Sequence, residues 1–358
     1  MRLDERARRA AGGIHHAVDE HETRSPLGAL DRFEVANERR QRHRRIGAGG
    51  VGVALTAVAI AFAVRTLSPT TIPAPASDHL PRGTLLVGEW DPRTDTAHWT
   101  TVGMDGGGRV DLGLDTSCAA WFPDGRRILI TDDASGFPLR PAVVSADGSL
   151  LARLDATRDS DLSLGCGDVS PDGSRLVLEG FNEAEASRLD GIYSVRAADG
   201  GDLRRLTSGV DGYPTYSPDG SEVVFLRTKP GIHPDGAGAL FVVGVDGSGL
   251  RRITPWGAAF LHQDWSPDGE WIVFQRPYGE LVVVHPDGTA LHRVPLTLPA
   301  GAGAREPAWS PDGEWLVFSV LQDGAATIFA AHLDGTDLQQ VTTANDEDQV
   351  QPDWAASP

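Results

Sequence analysis

The 358-residue chain is 40% hydrophobic, enough to bury a large core, and its 42 Gly and 24 Pro favour many short strands and turns over long helices. Its formal net charge of −18 is uneven, because residues 1–66 carry 12 Arg against 8 Asp and Glu, a net of about +4, which leaves about −22 on the remainder. So acidic a body repels phosphates, which excludes non-specific nucleic-acid binding, and its two cysteines, with no CxxC spacing, exclude a disulfide scaffold or a thiolate zinc site.

Residues 1–45 read as a tail with two helical stretches, LDERARRAAGGIHHAVDEHE and LGALDRFEVANERRQRHRR, parted by Ser25 and Pro26. In the second, Leu27, Leu30, Phe33 and Val35 form a short apolar face that could dock on a cytoplasmic partner or on the membrane. The alternative is a solvated, partly disordered tail that only sets topology. His15, His16 and His21 lack the cysteines or the HExxH spacing that a metal site needs, so no metal is assigned to them.

Residues 46–66 read as a transmembrane helix. Ile46 to Val64 is an uncharged run of 19 residues, about 28 Å as a helix, which matches a bilayer core. Arginines crowd its N-terminal side between Arg39 and Arg45, so the positive-inside rule leaves the N-terminus in the cytoplasm and sends the remainder out. Ala74-Pro75-Ala76 has the small-x-small form of a signal cleavage site, but the long front and the long apolar run fit an uncleaved single-pass anchor better. Residues 67–82 follow as a Pro-rich tether.

From residue 83 the chain repeats. The motif aromatic-Ser-Pro-Asp-Gly appears at Trp121 (as WFPDG), Val169 (as VSPDG), Tyr216, Trp265 and Trp309, and a sixth copy opens at Pro352-Asp353-Trp354. A second series of Asp-Gly pairs begins at Asp105, Asp147, Asp199, Asp246, Asp287 and Asp334. Each repeat reads as four short strands: an inner strand, the Ser-Pro-Asp-Gly turn, an alternating strand such as EWLVFS, a variable loop, a strand such as ALFVVGV, the Asp-Gly hairpin, and an edge strand such as RRIT. One such sheet cannot bury both of its faces, so the array must stack, and closing it into a ring protects its ends. The first repeat lacks an inner strand and the last fragment, 350–356, has nothing else, so the two complete one blade. The expected fold class is all-β, a six-bladed β-propeller over residues 83–358 preceded by the single transmembrane helix and the short helical or disordered tail.

These PxWSPDG, GxxIYxxxxDG and RRLT elements resemble those of the TolB-type, WD-repeat-like propellers, over about three quarters of the chain and most closely from Cys166 to Thr342. The resemblance implies a six-bladed, extracytoplasmic propeller that acts as a protein-interaction platform. The order of tail, anchor and propeller also resembles bacterial membrane proteins with an anti-sigma-like N-terminal segment, although the HxxxCxxC zinc motif carried by some of them is absent from the tail.

Strand order puts all the Asp-Gly turns on one face and the variable loops on the other, where a rigid scaffold would present a binding surface. Five residues before each turn proline, where the inner strand enters the channel, stand Cys118, Cys166, Tyr213, His262, Glu306 and, by extension, Gln351. This ring could hold a ligand or could be a water-filled mouth. Alternation should send His262, Gln263 and Asp264 to opposite sides of their strand, so that they cannot chelate one ion together. Arg227 and His233 belong to a variable loop, and Trp256 is either an exposed binding aromatic or a plug. Cys118 and Cys166 hold equivalent places in neighbouring blades facing an oxidising space. A bridge between them would contribute roughly 4 kcal/mol, provided that the inner strands approach within about 7 Å.

The sequence has no GxSxG elbow and no hydrolase domain after the repeats, and it calls for no cofactor. The function expected is a non-enzymatic interaction or sensing module of the cell envelope that binds a protein, peptide or glycan on its variable-loop face and signals through its tail. The alternatives are a lyase or hydrolase that uses the channel histidine, and a purely structural envelope protein.

Overall fold

In the computed structural model, the described residues are 80, 82–91, 96–132, 136, 138–156, 161–182, 188–229, 238–343 and 348–355. The tail, the transmembrane segment and nearly all of the tether lie outside them, and no helix among the described residues is long and apolar enough to cross a membrane.

The repeats fold as six four-stranded antiparallel sheets. The first has β1 (Thr84–Asp91), β2 (Thr96–Gly103) and β3 (Val110–Asp115). The second runs β4 (Ala119–Trp121), β5 (Arg127–Asp132), β6 (Arg140–Ser145) and β7 (Leu150–Arg153), and the third β8 (Ser163–Val169), β9 (Arg175–Phe181), β10 (Gly191–Arg196) and β11 (Arg204–Arg205). The fourth runs β12 (Val210–Tyr216), β13 (Glu222–Thr228), β14 (Ala239–Gly244) and β15 (Arg251–Arg252). The fifth runs β16 (Gln263–Trp265), β17 (Ile272–Arg276), β18 (Glu280–Val284) and β19 (His292–Arg293), and the sixth β20 (Gly303–Trp309), β21 (Trp315–Gln322), β22 (Ala325–His332) and β23 (Gln339–Gln340). The last strand, β24 (Asp348–Ala355), returns to the first sheet and pairs with β1 from Thr84↔Ala355 to Trp90↔Asp348, which supplies the missing inner strand. We call the sheets blades A to F in chain order.

Alternation along each strand gives every blade two apolar faces, and six clusters fill the spaces between neighbours. Trp121, for example, packs with Leu86 and Trp99 of blade A and Ile128 of its own blade B. Trp265 plays the same part between D and E, Trp309 between E and F, and Trp354 between F and A. The aromatic before each turn is therefore a wedge between two blades.

The turns explain their own sequence. Ser217 Oγ donates to Asp219 Oδ1 at 2.6 Å and accepts from the amide of Glu222 at 2.9 Å, while Gly220 closes the turn with φ of 71°. The same arrangement recurs at Ser170, Ser266 and Ser310. A buried hydroxyl and a carboxylate thus satisfy the amides that a tight reversal leaves unpaired.

Candidate functional site at the channel mouth

Each inner strand starts on the variable-loop face and ends at its Ser-Pro-Asp-Gly turn, so the residue five places before the turn proline lies at the channel mouth. There the structure brings Cys118, Cys166, Tyr213, His262, Glu306 and Gln351 together around one cavity of about 140 Å³.

The backbone at these positions is unusual. Tyr213, His262, Glu306 and Gln351 all have left-handed φ, at 54°, 44°, 50° and 51°. The register of β12, β20 and β24 slips there, between Gly212 and Thr215, between Arg305 and Ala308, and opposite the Leu86/Gly88 step of β1. A β-bulge inserts an extra residue and re-aims its side chain, and it also accommodates Pro214, Pro307 and Pro352 within the inner strands. Left-handed backbone in a non-glycine residue costs on the order of 1 kcal/mol or more, and four equivalent blades bear that cost. At His262 the left-handed backbone departs from plain strand alternation, and His262, Gln263 and Asp264 all line the cavity.

Across the mouth the six residues form three pairs, each spanning one blade interface. Cys118 and Cys166 are joined as a disulfide between B and C, with Cα atoms 5.7 Å apart. Tyr213 of D lies against His262 of E, ring centroids 4.7 Å apart, and Gln263 of E donates its side-chain amide to the Tyr213 carbonyl. The amide of Gln351 in A donates to Glu306 Oε2 of F at 2.7 Å.

One step deeper, a second set closes the other three interfaces, and sequence reasoning missed it. Asp353 of A accepts from its own neighbour Trp354 N at 2.8 Å and from Trp121 N of B at 2.6 Å. Asp168 of C does the same with Val169 N and Tyr216 N of D, and Asp264 of E with Trp265 N and Trp309 N of F. Ala120, Thr215 and Ala308 occupy the equivalent positions in B, D and F. The carboxylates thus clamp A to B, C to D and E to F, whereas the mouth pairs join B to C, D to E and F to A. The available signal was an Asp directly before Val169, Trp265 and Trp354, the residues that precede the turn in every second repeat.

These carboxylates line the same cavity as the ring. Burial pushes Asp168 up to about 7 against the pull of its two amide donors, with the charge of Asp353 adding to the rise. Burial likewise lifts Asp264 to about 8, opposed by the Trp309 amide and assisted by the charges of Asp353 and Asp168, and burial raises Asp353. The His262 ring is 19% exposed, yet its Nε2 is sealed from solvent and has no hydrogen-bond partner. It lies 3.7 Å from Glu306 Oε1. Desolvation lowers the His262 pKa, and the Glu306 charge only partly offsets this, so the imidazole is neutral at pH 7.

Two other candidates lie outside the ring. Arg227 gives its guanidinium to the buried Asp211, at 2.6 and 2.7 Å, and lies 4.9 Å over Phe241. Trp256 is half-buried against Phe241, centroids 5.7 Å apart, with Lys229 Nζ 4.5 Å above its ring. His233 lies outside the described residues. Among the described residues no group of His, Cys, Asp and Glu is arranged to hold a metal ion.

No family model matches the chain. A TolB homologue from Chlorobium luteolum is 32% identical over 135 residues, covering 36% of this chain, and the chain spans only 28% of that relative's length. Among solved structures, TolB from Acinetobacter baumannii has a TM-score of 0.58 at 18% identity, over 77% of this chain and 67% of its own. A putative TolB from Agrobacterium tumefaciens has a TM-score of 0.55 at 18% identity, over 78% and 99%. Hydrazine synthase from Kuenenia stuttgartiensis, with a TM-score of 0.61 at 13% identity over 77% and 47%, shares the fold as well.

Proposed function

We propose that this six-bladed β-propeller, which is similar to TolB-type propellers, is a membrane-anchored interaction module whose variable-loop face and channel mouth bind a protein partner outside the cell. The observation that carries this reading is the contrast between its two faces. The turn face is built from repeated Asp-Gly reversals whose carboxylates bond their own backbones, as in Asp199 to Gly201 and Asp246 to Ser248. The opposite mouth concentrates four left-handed side chains and an unpartnered imidazole nitrogen. Left-handed backbone at four equivalent places around one channel mouth is the pattern of a site kept for binding.

The anchor fits this orientation. Thr84 pairs with Ala355 at the turn end of blade A, so the chain enters the propeller on the turn face. With residues 46–64 in the bilayer and the N-terminus in the cytoplasm, the turn face looks toward the membrane and the variable loops look away. The tail, residues 1–45, is then placed to report partner capture to a cytoplasmic protein. Glycans and peptides remain alternative ligands of the same mouth.

Photo-crosslinking groups placed one at a time in the full chain test the reading. Positions 229, 256 and 278 on the variable face should capture a partner in cells, and positions 199, 246 and 334 on the turn face should not. Capture from the turn face alone would overturn it. For topology, a cysteine at Thr289 should react with an impermeant maleimide on intact spheroplasts and one at Arg24 should not.

A channel lyase or hydrolase is the second reading. It rests on the neutral His262 beside Glu306, a pair able to exchange a proton with a ligand. A metal or turnover requirement that His262→Ala abolishes would favour it.

A further inference from the structure

The interaction reading leaves open what chemistry the partner presents, and the rim of blade D narrows it. The loop that carries Trp256 is fastened to that blade, because Gly257 donates to the Gly238 carbonyl at 3.0 Å and Ala259 forms a β-bridge with Gly238. The indole therefore stands half-buried against Phe241 with two exposed cations around it: Lys229 Nζ lies 4.5 Å and the Arg252 guanidinium carbon 5.8 Å from its centroid. Both are within cation–π reach of one ring, so the two charges lie within about a Debye length of each other.

The repeats show that this pair of cations is an exception. Register places Arg153, Arg205, Arg252 and Arg293 at the same point of their outer strands, opposite Ala142, Tyr193, Phe241 and Val282. In blade B, Arg153 bonds Asp132 at 2.6 Å, in blade C, Arg205 donates to the carbonyls of Thr207 and Asp190 at 2.8 and 2.6 Å, and in blade E, Arg293 lies 3.3 Å from Glu280. Arg252 has neither a carboxylate nor a carbonyl partner among the described residues, and the Lys229 ammonium has none either. The described acids of blade D are committed elsewhere. Asp211 holds Arg227 and the Thr207 hydroxyl, Glu222 holds Arg251 on the opposite face of the sheet, and Asp219 and Asp246 bond within their own turns. In a propeller that carries a large excess of acid, two neighbouring cations at one indole are thus left without an anion.

We propose that the rim of blade D at Trp256 docks an acidic segment of the protein partner, with its carboxylates held by the Lys229 ammonium and the Arg252 guanidinium beside the exposed part of the indole. This rests on the reading of the variable-loop face as the interaction surface. Charge complementarity selects the occupant: the acidic body repels an acidic segment everywhere except where cations stand unneutralised. The guanidinium offers a planar fork to one carboxylate and the ammonium a movable point charge to the same group or the next, and Trp256 supplies the apolar contact that anchors the segment.

The test is isothermal titration of the full-length chain in nonionic detergent micelles with acetyl-Ser-Glu-Ser-Glu-Ser-Glu-amide, its glutamine counterpart and sodium phosphate as separate arms. The glutamate peptide should bind, the glutamine peptide should bind at least about tenfold more weakly, and affinity for the first should fall as salt rises from about 50 mM to about 500 mM. Lys229→Gln and Arg252→Gln should each weaken binding about threefold or more, the range of an exposed ion pair, while Lys229→Arg should bind as the parent does. Arg126→Gln, which removes an exposed cation from the turn face, should leave binding unchanged. The contrast between the two peptides needs no variant, so it decides the matter even if a substitution disturbs the fold. Equal binding of the two peptides, displacement of the glutamate peptide by phosphate at matched ionic strength, or a loss in Arg126→Gln as large as that in Lys229→Gln would overturn the proposal. Partner crosslinking at position 256 that persists undiminished when Lys229→Gln and Arg252→Gln are combined would overturn this inference and leave the interaction reading intact. Capture from the turn face alone in the unsubstituted chain would remove both.

Discussion

Gln351 holds left-handed backbone with φ of 51° in a bulge opposite Val87, in a conformation that glycine adopts without penalty. If the side chain is kept for binding, Gln351→Gly should raise stability by up to about 1 kcal/mol, net of glycine's entropy cost, while weakening partner capture. Urea unfolding at equilibrium reads the first and crosslinking yield the second. Asp264 makes the opposite kind of prediction. Its folded pKa is raised to about 8 from an ordinary carboxylate value, so its contribution is fully present below about pH 4 and is lost as pH rises toward and through 8. The empty propeller should therefore melt at a lower temperature at pH 9 than at pH 6. Asp264→Asn, which cannot ionise, should show a flatter pH dependence. Counting back from each turn proline made the mouth ring legible in the sequence. The aspartate clamps were hidden because the amide that each one holds belongs to the next blade, as with Asp353 and Trp121, and no local pattern brings the two together.

Each Ser-Pro-Asp-Gly turn works as a unit, and the repeats supply their own control. Ser217 is 3% exposed and serves both Asp219 and the Glu222 amide, so Ser217→Ala should cost about 1–2 kcal/mol by leaving a buried amide without its acceptor. Blade B has Phe122 at that place, where Asp124 instead takes the amides of Arg126 and Arg127 at 2.9 and 3.1 Å. Phe122→Ser should therefore gain little from its hydroxyl and lose apolar burial. Denaturant midpoints of the two variants would test the asymmetry. The disulfide is the other device that joins elements. It closes a 48-residue separation between blades B and C, worth roughly 4 kcal/mol on the chain-entropy account, and the paired change Cys118→Ser, Cys166→Ser should shift the unfolding midpoint accordingly while the ring still closes. The two cysteines were recognisable as equivalent positions in the sequence. That their Cα atoms approach to 5.7 Å was not, because the approach of two inner strands at a channel is set by blade number and tilt and not by any local motif.

The ring as a whole is a cycle of six interfaces fastened by two alternating devices, with aspartate clamps at A/B, C/D and E/F and mouth pairs at B/C, D/E and F/A. The covalent break in this cycle falls inside blade A, between β24 and β1, where pairing alone holds the ends from Thr84↔Ala355 to Trp90↔Asp348. Every other inner strand passes to its neighbour through a turn on the same face, so the ends of β24 and β1 stand where such a turn would sit. A chain rearranged to begin at residue 344, with Ala355 joined to Thr84 by Ser-Pro-Asp-Gly and ending at residue 343, should then fold into the same six blades. It should be at least as stable as the unanchored parent propeller, because the closure no longer costs the entropy of bringing two ends together. By contrast, truncation before Asp348 removes Trp354 from the F/A core and the Asp353 clamp from A/B, and exposes the inner edge of β1. That chain should lose cooperative unfolding and aggregate through the open edge. If the rearranged chain folds and the truncated one does not, closure depends on strand β24 itself and not on where the chain happens to begin. The reverse outcome would mean that the order of synthesis, from blade A onward, is what builds the ring.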